Sequence, residues 1–70
     1  MAIARVTEII GSSAKSFEDA ISAAHKRASK TLRGMTGMEV VRQSIKVENN
    51  KLTEYRVHLN ITFVLDDKQA

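Results

Sequence analysis

Residues 54–65 read EYRVHLNITFVL and alternate without a break. Tyr55, Val57, Leu59, Ile61, Phe63 and Leu65 fall on one side of an extended chain, with Glu54, Arg56, His58, Asn60, Thr62 and Val64 on the other. A period of two sends successive side chains to opposite faces, so this stretch is a strand with one apolar and one mostly polar face. At about 3.3 Å per residue it spans roughly 40 Å, more than a small domain needs for itself. The apolar face must be covered, and the cover has to come from elsewhere in the chain.

Just upstream, Glu48-Asn49-Asn50-Lys51 has the chemistry of a tight turn between antiparallel strands, because Asn tolerates positive φ. A second strand is expected over residues 38–47, with Val41, Ile45 and Val47 on one face and Arg42, Ser44 and Lys46 on the other. Before it, Phe17, Ile21, Ala24, Ala28 and Leu32 recur at helical spacing, which predicts a helix over 17–33. Ser16 is its N-cap, with Asp19 three residues on in a capping-box-like arrangement and Glu18 beside it at the positive end of the dipole. Lys26, Arg27, Lys30 and Arg33 suit the negative end, and Gly34 is placed to stop the helix. Residues 3–10, IARVTEII, form a first strand that ends at Gly11, and Gly11-Ser12-Ser13 follows as a polar turn. Residues 66–70 read as a frayed, solvated tail. The whole chain, residues 1–70, is one domain of class α+β: β-α-β-β, a three-stranded antiparallel sheet curled around one helix.

Composition narrows the function. The chain has 70 residues, 43% hydrophobic and 27% charged, which is the balance of a globular domain rather than a disordered one. It has no cysteine, hence no disulfide and no thiolate chemistry. No run of about 18 apolar residues is present to span a bilayer, and residues 1–10 lack the apolar block of a signal peptide, so a cytoplasmic product is expected. A chain this short buries only about 60% of its unfolded surface and is marginal alone. One helix cannot cover strands of this length, so uncovered sheet should meet further copies of the chain in a hollow homo-oligomeric shell, or a ligand.

Catalytic motifs are absent: there is no phosphate-binding glycine loop, nucleophile elbow or zinc-binding helix signature. His58, Glu54 and Ser44 could be assembled on paper into an acid-base trio, but spacing alone does not position them, and no enzyme is expected. His25, beside the apolar stripe, reads as a packing or interface residue. Glu8, Asp66 and Asp67 are hard oxygen donors of the kind calcium or magnesium prefers, though no loop carries the alternating spacing of a calcium hand. Lys26, Arg27, Lys30 and Arg33 carry charge that suits phosphates, but without interleaved aromatics they read as a solvated helix face. Arg56, His58, Asn60 and Thr62 project from one strand face, either as the lining of an assembly or as part of a ligand site.

Taken together, VTEIIGSS (6–13), SFEDAISAAHKRASKTLRG (16–34), MEVV (38–41) and EYRVHLNITFVL (54–65) resemble the dodecins, small bacterial and archaeal flavoproteins. The resemblance implies a hollow sphere of twelve identical subunits that stores or buffers riboflavin or FMN and is not an enzyme. In that family a Trp after the helix-to-strand loop stacks on the isoalloxazine ring; here Gly37 takes its place in GMTGMEVV (34–41). The family's Gln after the tyrosine is Arg56, and the Pro after the Ser-Ser turn is Ala14. The candidate ligand contacts are therefore Arg56, Ser44, Gln43 and His58, with flavin the nominal ligand and its stacking weakened. The alternatives are a shell that holds another small anion or a divalent cation such as calcium or magnesium, and a nucleic-acid-binding adaptor using the basic helix face. In the leading reading the partners are the chain itself and a small molecule, with neither nucleic acid nor membrane.

Overall fold

The computed structural model describes residues 3–65; Asp66, Asp67 and the expected tail at 66–70 lie outside the described residues. Four elements follow in the expected order: β1 (Ile3–Ser13), α1 (Phe17–Ala28), β2 (Met35–Glu48) and β3 (Lys51–Leu65). The strands form one antiparallel sheet in the order β1-β3-β2, so the long alternating strand sits in the middle. Its partner β1 runs beside it without a register shift, from Ile3 opposite Leu65 to Ser13 opposite Tyr55. The β2–β3 connection is made by Asn49 and Asn50 at φ 53° and 64°, the left-handed pair whose twist suits a two-residue hairpin.

Three alanines of α1, Ala20, Ala24 and Ala28, bury against Val57, Leu59, Ile61 and Phe63 of β3. Small side chains on the helix let it lie close over large ones on the sheet. Phe17 closes one end of this core, its ring edge-to-face with Tyr55 at 5.2 Å and 80°. Ala20 is completely buried although it is absent from the predicted stripe, because alanine adds little to an apolar pattern.

The N-cap forms as expected, with Ser16 Oγ accepting from the Asp19 amide at 3.0 Å. The Asp19 carboxylate does not reach back to complete a capping box. It accepts instead from Ser13 Oγ at 2.6 Å, tying the end of β1 to the start of α1. The helix stops at Ala28, five residues short of Arg33. Ser29 caps it, its amide making the ordinary ladder bond to the His25 carbonyl at 2.9 Å and its hydroxyl donating to the same oxygen at 2.6 Å, after which Lys30 and Thr31 donate to Arg27 and Ala28 in the tighter three-residue pattern. Residues 29–31 continue as a turn, and Leu32 still packs beneath the core beside Met35. Gly34 therefore does not terminate the helix. At φ +73° it swings the chain into β2, and its carbonyl accepts from the Val64 amide at 3.0 Å.

Two further expectations are corrected. The first strand does not end at Gly11 but continues through Ser13. Gly11 lies opposite Val57 directly beneath α1, and an added Cβ would stand 2.8 Å from the Ala20 carbonyl oxygen and 3.0 Å from the Ala24 Cβ. It is there for close approach rather than for a turn. The second correction concerns β2, where Val41 does not share a face with Ile45 and Val47. Register shifts fall between Met35 and Gly37, Val40 and Arg42, and Lys46 and Val47. At the first two shifts the extra residue lies in β2 and reverses the side to which the following residues point, whereas at the third it is Thr53 of β3. Ile45, opposite Tyr55, and Val47, two residues on, therefore both lie on the helix side, whereas Val41 is the extra residue at the second shift and stands beside Arg42 and His58 on the outer side.

Candidate functional site

The outer face of the sheet, away from α1, is built in rows across the three strands. Arg56 stands between Ser12 and Ser44, His58 between Ile10 and Arg42, Asn60 between Glu8 and Glu39, and Thr62 between Val6 and Gly37. These rows exist because β3 alternates strictly and because the bulge at Val41 brings Arg42 into step with His58.

Three of the four predicted ligand contacts, Ser44, Arg56 and His58, meet on this face. Gln43 does not join them. It lies opposite Val57, on the helix side of the sheet, since neighbours in a strand point opposite ways. The Arg56 guanidinium is ion-paired with Glu54. At such an exposed site the pair contributes only about 0–1 kcal/mol, so an incoming anion could displace the carboxylate at little cost. The trio of His58, Glu54 and Ser44 that could be drawn on paper is not assembled. Glu54 and His58 are four residues apart on one strand, roughly 13 Å, beyond the reach of any proton relay without intermediates.

What sequence reading missed is Arg42. Its Nη2 stands 3.4 Å from His58 Nε2, the nitrogen whose lone pair it meets when the other ring nitrogen carries the proton. Glu8, Ile10, Val41, Arg42 and His58 line a shallow pocket of about 370 Å³. A base, an acid and two apolar walls make this a place for a small polar molecule with an apolar body. Its only sequence signal is cross-strand, and the pairing becomes visible once the bulge at Val41 sets the register.

Gly37 lies near one end of the same face. A Cβ built there meets nothing within 4 Å, so the position is open rather than crowded. Among the described residues no group of three or more His, Asp or Glu side chains is gathered to hold a metal ion. Within the basic group, Lys26 and Arg27 lie on α1, and Lys30 and Arg33 follow it in the turn; Arg33 turns back to donate to the Ser29 and Leu32 carbonyls at 3.3 and 3.4 Å. The group thus caps the C-terminal end of α1 as much as it offers charge to a partner. No helix among the described residues is long and apolar enough to cross a membrane.

Comparison with known proteins is consistent along the chain. A family model described as Dodecin matches residues 3–66. An arginine-to-alanine variant of the Thermus thermophilus dodecin is similar at a TM-score of 0.89 and 33% identity, covering 96% of this chain and 100% of that one. The dodecin of Streptomyces coelicolor is similar at a TM-score of 0.89 and 32% identity, covering 94% of each chain. A calcium-chelating antigen of Mycobacterium tuberculosis, described as a calcium dodecin, is similar at a TM-score of 0.80 and 28% identity, covering 97% of each chain. No curated protein matches the chain.

Proposed function

Because this chain belongs to the dodecin family, we propose that it forms a closed cytoplasmic shell of twelve copies that holds a small molecule without transforming it. Flavin, as riboflavin or FMN, is the nominal ligand, and it is held weakly. Assembly is supported by an imbalance in the single chain. Among the described residues only seven are buried in its core, while Ile3, Val6, Ile10, Val40, Val41, Ile45, Val47, Leu52, Val64 and Leu65 are each at least 40% exposed. Apolar side chains spread over both faces of a ribbon 53 Å long ask for neighbours. Size-exclusion chromatography with light scattering should report a dodecamer, and a folded monomer at micromolar concentration would refute the shell.

The observation that carries the ligand reading is the open backbone at Gly37, which offers no ring on which an isoalloxazine could stack. The φ of Gly37 is not positive, so an L side chain is tolerated there. Gly37→Trp is expected to restore stacking and tighten FMN by about 5- to 150-fold, the equivalent of ~1–3 kcal/mol for one aromatic platform. Titration of flavin fluorescence against the parent and variant measures this. An unchanged affinity in a correctly assembled variant would show that Gly37 is not the stacking position.

One row favours a second occupant. Glu8 and Glu39 flank Asn60 on the outer face, three oxygen-bearing side chains at one level of the sheet, and a relative is named for calcium. A ligand selective for the folded state raises the melting temperature. Calcium or magnesium should therefore do so if this row holds a cation, and no shift from either excludes it.

A further inference from the structure

Met35 and Met38 are three residues apart, and in a regular strand they would point to opposite faces. The bulge between Met35 and Gly37 cancels that difference. Met35 stands opposite Phe63 and Met38 opposite Ile61, both on the helix side of the sheet. Re-aiming a side chain in this way is a recurrent use of bulges beside functional sites. Across from them, His25 on the flank of α1 closes a pocket of about 280 Å³ whose remaining walls are Thr36 and Gly37. Both methionines are half-buried, with one side packed on the core of Ala28, Ile61 and Phe63 and the other on the pocket. The missing side chain at Gly37 leaves this end of β2 uncrowded.

We infer that His25, Met35 and Met38 form a three-donor site for a soft monovalent metal ion of the Cu(I) class. The chemistry of the lining decides the class. Two thioethers and one imidazole are the donors that soft d10 ions select. No carboxylate lines the pocket, which disfavours calcium and magnesium with their demand for several hard oxygens. All three donors are uncharged when the imidazole is neutral, and a neutral set whose two thioethers are half-buried holds a single positive charge at lower desolvation cost than a double one. The methionines are anchored by the core, so the site needs little ordering on binding. It uses none of the residues of the outer face and stands or falls independently of flavin.

The test uses Ag(I), which shares the ligand preference of Cu(I) without its redox chemistry, added in chloride-free buffer to the full-length assembled protein carrying ¹³C-labelled methionine methyls. The Met35 and Met38 methyl signals and the His25 ring signals are expected to move together and to saturate at one ion per chain. Met35→Leu with Met38→Leu conserves volume and should keep the fold, while His25→Asn alters an exposed residue. Each change should weaken Ag(I) binding by at least about tenfold. Signals that stay in place at one equivalent, variants that bind as tightly as the parent, or calcium moving the same signals would each overturn the site. The spectra of the parent protein decide the matter even if a leucine variant does not fold.

Discussion

Leu59→Asp is expected to abolish the folded chain, and with it any assembly. Leu59 has no exposed surface and sits mid-sheet under α1, in contact with Ala20, Ala24 and Val57. Truncating such a leucine to alanine alone costs about 2–5 kcal/mol. A carboxyl group in its place adds the cost of a buried polar group with no partner, or of shifting its titration until it is neutral. The sum exceeds about 4 kcal/mol, a large part of the stability available to a domain of this size. Far-UV circular dichroism and light scattering should show an unfolded or aggregated product. Asn60→Asp, one residue along on the outer face between Glu8 and Glu39, should keep the fold at a cost of no more than about 1 kcal/mol per like charge directly opposite it. If both variants fold, the strand is not seated as described; if both fail, the outer face is as demanding as the inner one.

Gly11→Val is the second large effect. Its Cβ would collide with the Ala20 carbonyl at 2.8 Å, and the obstacle is backbone, which cannot swing aside as a side chain does. The Ala24 Cβ at 3.0 Å blocks the other direction of escape. Relief requires α1 to lift from the sheet, opening the contact between Ala20, Ala24 and the buried face of β3. Overpacking of a tight core costs about 1–3 kcal/mol and more where backbone must move. Thermal unfolding should show a fall of at least about 4 °C per kcal/mol lost in a chain of this length. Ala20→Gly in the same background removes none of the carbonyl clash and should not rescue it. A melting temperature unchanged by Gly11→Val would mean that the helix does not lie as close as drawn.

The outer-face chemistry was legible in part. Ser44, Arg56 and His58 share a face because β3 alternates strictly and β2 is in step with it at Ser44. Gln43 was misplaced with them because it neighbours Ser44 and so points the other way, and Arg42 was overlooked because its cross-strand partner depends on the register. A bulge at Val41 adds a residue that no local pattern announces, since valine suits a bulged and an unbulged strand equally. The same bulge parted Val41 from Ile45 and Val47, and the bulge near Thr36 brought together two methionines that spacing would have parted. The helix end was misjudged because apolar periodicity ran on to Leu32, while the chain after Ala28 tightened into three-residue bonds from Lys30 and Thr31.

Alternation over residues 54–65, the Ser16 cap and the Asn49-Asn50 turn were enough to set element order, the start of α1, the β2–β3 turn and the buried face of the central strand. Those are properties of neighbouring residues, written in period and in φ preference. Which strand lies in the middle, how closely α1 presses on Gly11, and which side chains of β2 look inward depended on contacts between residues far apart in the chain. Such contacts follow from register, and in β2 register was set by bulges whose position depends on the partner strand, so only the assembled sheet could place Arg42 beside His58 and Met35 beside Met38.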